Sequence, residues 1–295
     1  MKKRTSAKLA RPWRRMSIAT SAVVIVVSCT VLALVTLKLT TLSAHKPRAH
    51  VQLVNKTTLV EMTKPAVQGL AKAEIQPPPF GYPQPLGIQG MRVLKDDTPY
   101  LIKGRPVVIF VCTEYDPYCS AEQWPLTIAL SYFGNFKRLA YTSSPQQIIF
   151  GGTVGPSFYG ASYASKYIVF KGVEEKGDHP LANKQYLSLE KPTPMESLLM
   201  KRLDEPPTLS GTAAARGMDF VPFLDIANRY VLTGTTFSPT LLHGLSFYQI
   251  SSEAVDPATP IGYAVLTGAL PIVKAICSLT NEKPSNVCSI AQLPS

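Results

Sequence analysis

An apolar segment followed closely by a helix start constrains the fold of this chain most. Residues 106–112 are a nearly continuous run of β-branched and aromatic side chains, which is typical of a strand buried on both faces. Asp116 and Pro117 follow, and they favour a helix start because Asp accepts bonds from free amides and Pro suits the first helical position. A helical pattern continues from Ser120 to Phe133. The segment therefore predicts a strand, a short loop and a helix.

The rest of the C-terminal region alternates in the same way, and we predict an α/β domain with a mixed sheet flanked by helices over residues 91–295. Residues 143–162 are rich in Pro, Gly and Ser and predict a long surface excursion, whose aromatic residues either cover the core or form an exposed binding patch. The other predicted elements are a strand at 166–173, a helix at 193–203 opened by a Thr193–Glu196 capping box, two short strands within 220–234 that turn at Asn228-Arg229, and helices at 238–251 and 259–279.

The N-terminal region predicts a membrane anchor. Residues 16–37 are 22 uncharged residues, long enough as a helix to cross a bilayer. The basic tail at 1–15 precedes them, so we expect a single pass through the cell membrane with an extracytoplasmic C-terminal domain. A lipoprotein cleaved before Cys29 is the alternative. Residues 38–90 contain clustered prolines and predict a stalk or linker, with a short helix within residues 53–72 that is broken at Pro65.

The net charge of +11 is mostly a property of this tail. Residues 1–37 hold seven basic residues and no acid, and the remainder has a net charge of only +4. A nucleic-acid-binding protein would instead carry its basic surface on the folded domain. The membrane is therefore a predicted partner and nucleic acid is not. The sequence also predicts no cofactor and no metal site, because its histidines lack other ligand residues at suitable spacing.

Several segments together resemble the domain of unknown function 929 family, a thioredoxin-like group of membrane-anchored proteins. They are residues 114–124, 157–163, 221–225 and 228–231, with Cys277 and Cys288 near the end. The resemblance implies a thioredoxin-like fold in which Pro222 is a cis proline facing Cys119. It also implies a binding groove at Asp116, Tyr118, Val221 and Pro222. The family usually has two cysteines flanking Pro-Tyr; here Cys119 matches the second and Asp116 replaces the first.

Each candidate site residue has two interpretations. Cys119 is either a reactive thiol at a helix start or a small buried residue. Cys112 is either part of the core or the partner of Cys119 in a disulfide. Glu114 is either a buried base near the thiol or a solvated loop residue, and Asp116 is explained by an N-cap alone. Cys277 and Cys288 flank ten residues that include turn formers, and outside the cytoplasm we expect a structural disulfide rather than two free thiols.

Two functions follow from these alternatives. In the first, the tethered domain has lost dithiol exchange at Asp116 and binds exported or envelope proteins, for instance by pairing with an added strand. In the second, it is a thiol–disulfide oxidoreductase that uses Cys119, alone or with Cys112, with Glu114 as a candidate base. A purely structural envelope protein is a third hypothesis, supported only by the long stalk.

Overall fold

The structure is a computed structural model that describes residues 51–63, 67–75, 77–79, 91–95, 97–203 and 222–291. The predicted basic tail and membrane anchor lie outside the described residues, as do residues 38–50 and most of the proline-rich part of the predicted stalk.

The described chain is a mixed α/β structure. Its strands are β1 (Gln52–Leu53), β2 (Arg92–Val93), β3 (Leu101–Ile102), β4 (Arg105–Cys112), β5 (Gly134–Ser143), β6 (Val154–Ser165), β7 (Val169–Glu174), β8 (Lys176–Pro180), β9 (Tyr186–Ser188), β10 (Phe223–Ile226) and β11 (Tyr230–Thr233). Its helices are α1 (Lys56–Thr63), α2 (Val67–Ile75), α3 (Pro117–Ser131), α4 (Pro194–Leu203), α5 (Phe247–Glu253), α6 (Pro260–Leu279) and α7 (Ser285–Ala291), with a 3₁₀ turn at Pro239–Leu242.

Strand β4 is the centre of the main sheet. It pairs in parallel with β7 on one side and antiparallel with β10 on the other, and β11 and β2 continue the sheet beyond β10. Alternate side chains of β4 enter two cores: Phe110 packs on the α3 and α6 side, and Ile109 packs on the α4 side. The apolar run thus forms a strand buried on both faces, and helices flank the mixed sheet.

A second sheet corrects the predicted surface excursion. Within residues 143–162, the chain enters β6, a long strand that pairs antiparallel with β5, and β1 completes this sheet on the other edge of β5. Phe158 on β6 is buried and meets Phe110 edge to face, with ring centroids 5.6 Å apart. For this residue the interpretation that the aromatic side chains of the segment cover the core is confirmed. The sequence did not predict this strand because it contains many Gly and Ser residues and few of the β-branched residues that are typical of strands.

The packed structure begins before residue 91, which corrects the predicted stalk over part of its length. Helices α1 and α2 bury Leu59, Met62 and Leu70 in the same core as α6. Asn55 caps α1 by accepting a bond from the Thr58 amide at 2.9 Å. The short helix predicted within residues 53–72 is therefore present as α1 and α2, but its apolar residues pack on the core and do not lie in a spacer.

The C-terminal helices also differ in part from the prediction. The expected helix at 238–251 is a 3₁₀ turn that stops before Gly244, where φ is +75°, and then α5 with its own Ser246–Gln249 capping box. The predicted capping box at α4 is present, with Thr193 N–H donating to Glu196 at 2.7 Å. Within the described residues, α6 is long and apolar enough to cross a membrane, but 67% of its most apolar window is buried in the fold.

Candidate functional site

Asp116 closes the start of helix α3 with its side chain. Its Oδ1 accepts bonds from the amides of Tyr118 at 2.7 Å and Cys119 at 3.4 Å. Burial raises the pKa of Asp116 to about 6, and the bonds from these two amides oppose that rise. The N-cap predicted for Asp116 is therefore present, and its carboxyl group occupies the amides that would otherwise stabilise an anion at this helix start.

Cys112 and Cys119 form a disulfide between the last residue of β4 and the first turn of α3. Their Cα atoms are 5.8 Å apart, and both residues are fully buried. The amide of Thr113 donates to the sulfur of Cys119 at 3.3 Å. Of the two interpretations of Cys112, the structure therefore has the one in which Cys112 is the disulfide partner of Cys119. No sulfur of this pair faces solvent.

Glu114 lies in the loop that this disulfide closes, and it is buried rather than solvated. Its Oε1 accepts a bond from the Ser157 hydroxyl at 2.5 Å, and its Oε2 has no hydrogen-bond partner among the described residues. Burial raises the pKa of Glu114 to about 7; Ser157 and His179 lower it, and Asp178 and Glu190 raise it. A carboxyl group with this pKa can gain or lose a proton near neutral pH.

Glu174, which the sequence analysis did not select, lies in the same buried region. Its Oε1 accepts bonds from the Gln123 amide group at 2.6 Å and from the Phe158 amide at 3.1 Å. Burial, and then the charge of Glu114, raise its pKa well above the ordinary value. The available signal was the position of this acid directly after the strand predicted at 166–173, since a residue next to a packed strand can be buried with it.

A third buried acid, Glu122, joins α3 to the loop after β11. Its Oε2 accepts bonds from the amide of Thr236 at 2.7 Å and from its hydroxyl at 2.8 Å. Burial raises the pKa of Glu122 to about 7, and the bonds from Thr236 and Thr235 oppose the rise. The sequence analysis missed Glu122 as well, because a Glu in an early helical turn is ordinarily exposed.

Pro222 lies beside the disulfide through the register of the sheet. Phe223 pairs with Val111, so the preceding residue reaches the level of Cys112. Pro222 is buried, and its carbonyl accepts a bond from the amide of Gly234 at 2.8 Å. Val221, the other predicted groove residue, lies outside the described residues, and so does the peptide bond that joins it to Pro222.

The surface at the start of α3 is aromatic. Tyr118 is 41% exposed and meets Phe150 edge to face at 5.8 Å, and Tyr115 stacks on Tyr186 at 4.1 Å. Ile149, next to Phe150, is 79% exposed. We call the four aromatic residues, Tyr115, Tyr118, Phe150 and Tyr186, the aromatic surface. Tyr115 and Tyr118 thus lie on either side of Asp116 in the sequence, and the ring of Tyr118 is exposed.

The second disulfide, Cys277–Cys288, joins α6 to α7, with Cα atoms 5.5 Å apart. With Glu282 it brings three potential metal-ligand atoms within 4.8 Å of one another. The two sulfurs are bonded to each other, however, and metals bind the thiolate form of cysteine. The arrangement therefore fits the structural disulfide expected from the sequence.

Comparison with known proteins gives one match. A family model described as Domain of unknown function (DUF929) matches residues 92–278. No curated protein and no solved structure matches the chain.

Proposed function

The chain belongs to the family of the Domain of unknown function (DUF929), and from this premise we propose that it is a membrane-tethered, extracytoplasmic, thioredoxin-like domain that binds exported or envelope proteins. In this proposal Asp116 replaces the first cysteine of the family's site. Support for the thioredoxin-like part comes from the order of elements: β4, a short loop, Cys119 in the first turn of α3, and Pro222 before the β10–β11 hairpin.

The observation that carries the binding function is the absence of an exposed thiol at the start of α3 in the described structure. Cys112 and Cys119 are bonded and fully buried, and Asp116 occupies the free amides. Thiol–disulfide exchange begins with a thiolate and an accessible sulfur, whereas binding needs only an exposed surface. Aromatic side chains at such a surface contribute strongly to protein recognition.

Binding can be measured with an unfolded protein as the probe. We would titrate the full chain in detergent micelles into fluorescein-labelled, reduced and carboxymethylated ribonuclease A and follow fluorescence anisotropy. The Tyr118→Ala variant should bind about fivefold more weakly, because it removes an exposed ring of the aromatic surface. Tyr248→Ala is the matched control, since Tyr248 is 45% exposed on α5. Equal affinities for the two variants would contradict the proposal.

A thiol–disulfide oxidoreductase is the second candidate, and the Cys112–Cys119 disulfide favours it. Once an external thiol has reduced the pair, the Cys119 thiolate would attack a substrate disulfide, form a mixed disulfide and release one substrate thiolate. The Cys112 thiolate would then attack the Cys119 sulfur and release the second substrate thiolate, which restores the Cys112–Cys119 disulfide. The Cys112→Ala variant should then accumulate a mixed disulfide at Cys119 in cells, and the Cys112→Ala/Cys119→Ala variant should not. Failure of both variants to trap a partner would remove this candidate.

The membrane tether has its own support and its own test. The uncharged segment at 16–37 follows a basic tail, an order that favours a cytoplasmic N-terminus. The full chain should remain with membranes after alkaline carbonate washing, and protease added outside intact cells should remove the C-terminal domain. Release of the chain by the wash would contradict the tether.

A further inference from the structure

Strand β7 is an edge strand of the main sheet. It pairs with β4 on one side, where the Glu175 amide donates to the Cys112 carbonyl at 2.8 Å. In a parallel pair, alternate residues direct their backbone groups to the neighbour. Phe170, Gly172 and Glu174 therefore direct their N–H and C=O groups away from β4.

The chain itself pairs with only the end of this free edge. The amide of Glu190 donates to the Glu174 carbonyl at 3.0 Å, and the Glu190 side chain accepts from the Glu174 amide at 2.9 Å. This segment runs antiparallel to β7. Pro192 follows, which has no amide hydrogen, and α4 begins at Pro194. Among the described residues, the outward backbone groups of Phe170 and Gly172 have no hydrogen-bond partner.

These unpaired groups face an open groove of about 710 Å³ whose two walls differ. One wall is aromatic and contains Phe158, Tyr163 and Phe170. Phe158 lies directly over Gly172, since a Cβ added to Gly172 would come within 2.6 Å of the Phe158 Cβ. The groove therefore offers backbone pairing at its base and an apolar surface on the side of β6.

The other wall carries charge. Lys171 pairs with the buried Glu196 at 3.5 Å. Lys191 is exposed, and within the described part of the chain it has no ion-pair partner. Side chains of an added strand alternate between the two faces of a sheet. A strand in this groove would thus point every second side chain at the aromatic wall and the others toward Lys191.

We propose that the β7 edge binds an extended peptide as an added antiparallel strand, continuing the pairing that Glu190 begins, with apolar and acidic side chains in alternation. Added strands of this kind gain affinity from main-chain bonds and specificity from alternate side-chain contacts. The inference rests on the proposed function in that both assign protein binding to this domain. It adds a site separate from the aromatic surface and defines its ligand chemistry.

Hydrogen exchange at single-residue resolution tests the pairing directly. The probe is a fluorescein-labelled peptide of alternating valine and glutamate, added to the full chain in detergent micelles. In the free chain, the amides of Phe170 and Gly172 should exchange rapidly, because they lack partners. With saturating peptide, their exchange should slow by about tenfold or more. Slow exchange already in the free chain, or binding that leaves both amides unprotected, would overturn the proposal.

Two further comparisons separate backbone pairing from charge. A peptide with the same side chains and N-methylated amides cannot donate backbone bonds, so its affinity should fall about tenfold. The Lys191→Glu variant should bind the unmodified peptide about threefold more weakly, in a salt-dependent way. Lys137→Glu, an equal change of charge at an exposed position on β5, should have no effect. Equal binding of both peptides would contradict strand addition.

The hydrogen-exchange test does not depend on whether the aromatic surface binds protein. If Tyr118→Ala fails to weaken binding of the ribonuclease probe, protection at Phe170 and Gly172 still supports the β7 edge. If protection appears instead near Tyr118, the edge proposal is wrong and the aromatic surface alone binds peptide.

Discussion

The two disulfides close similar lengths of chain in different surroundings. Cys112–Cys119 spans seven positions and Cys277–Cys288 spans eleven. Loop-closure entropy assigns them about 2.4 and about 2.8 kcal/mol, a negligible difference. The first, however, joins the central strand to α3 in a region of buried carboxyl groups, and the second fastens α7, the last helix described.

This difference indicates that the contribution of a disulfide to stability depends on the elements that it joins. Cys112 lies in a strand that contributes to both cores, so its release affects the whole sheet. Release of Cys288 frees one short helix, and such terminal elements open locally at small cost. The loop closed by the first disulfide also contains Glu114 and Asp116, whose pKa values burial raises to about 7 and about 6.

The largest expected effect is on stability after removal of each cross-link. We expect Cys112→Ala/Cys119→Ala to lower the free energy of unfolding by about 4 kcal/mol, from loop entropy and core packing together. Cys277→Ala/Cys288→Ala also alters two buried residues, but it should lower the free energy of unfolding by only about 3 kcal/mol, because α7 is the last helix described and such an element can open locally. Urea unfolding of residues 39–295, followed by circular dichroism, measures both. A greater loss for the second variant would reverse the comparison.

A smaller effect should appear in the pH dependence of stability. The pKa of Glu114 is about 7 in the fold against 4.5 in the unfolded chain, so the folded chain binds more protons between these values. Its contribution is therefore full below pH 4.5 and is lost as pH rises toward 7. Glu114→Gln should reduce the stability difference between pH 5 and pH 8 by about 2 kcal/mol.

The matched control for this measurement lies in the other loop. Glu282 is half-buried between Cys277 and Cys288, and Glu282→Gln makes the same chemical change in that loop. Thermal unfolding across the pH range would show the contrast. If stability changed with pH in the same way in both variants, the predicted contribution of Glu114 would be wrong.

The smallest effect concerns the start of α3, which has both a cap and a cross-link. Asp116→Ala should cost about 1 kcal/mol, and Asp116→Asn only a fraction of that, because Asn also accepts amide bonds. If the disulfide already fixes the helix start, Asp116→Ala should cost less in the native chain than in Cys112→Ala/Cys119→Ala. Urea unfolding of all four combinations completes this cycle, and additive effects would show that cap and cross-link act independently.

The sequence predicted those parts of the fold that depend on neighbouring residues. The buried strand β4, the cap at Asp116 and the Thr193–Glu196 capping box follow from patterns within a few positions. Such patterns act through local geometry, so they keep their meaning whatever the rest of the chain does. The Cys277–Cys288 pair also followed from local turn chemistry.

Features that depend on distant packing were missed. Strand β6 has a weak local pattern and depends on its pairing with β5. A short helix within residues 53–72, broken at Pro65, was predicted, but the burial of α1 and α2 against α6 was not. The buried state of Glu174 arises from its hydrogen bonds to Gln123 and Phe158, which the sequence places far away. The Cys112–Cys119 bond remained an open alternative because it depends on how the loop folds back.

Because helices α1 and α2 pack on the core, the segment of this protein that can fold by itself begins before residue 91. The region shared with the family spans residues 92–278. A fragment cut there would lack α1 and α2, which cover part of the core, and would keep Cys277 without Cys288. The region matched by the family model is therefore shorter than the segment whose residues share one core. A fragment of this chain cut to residues 92–278 should therefore need α1, α2 and α7 restored before it folds stably.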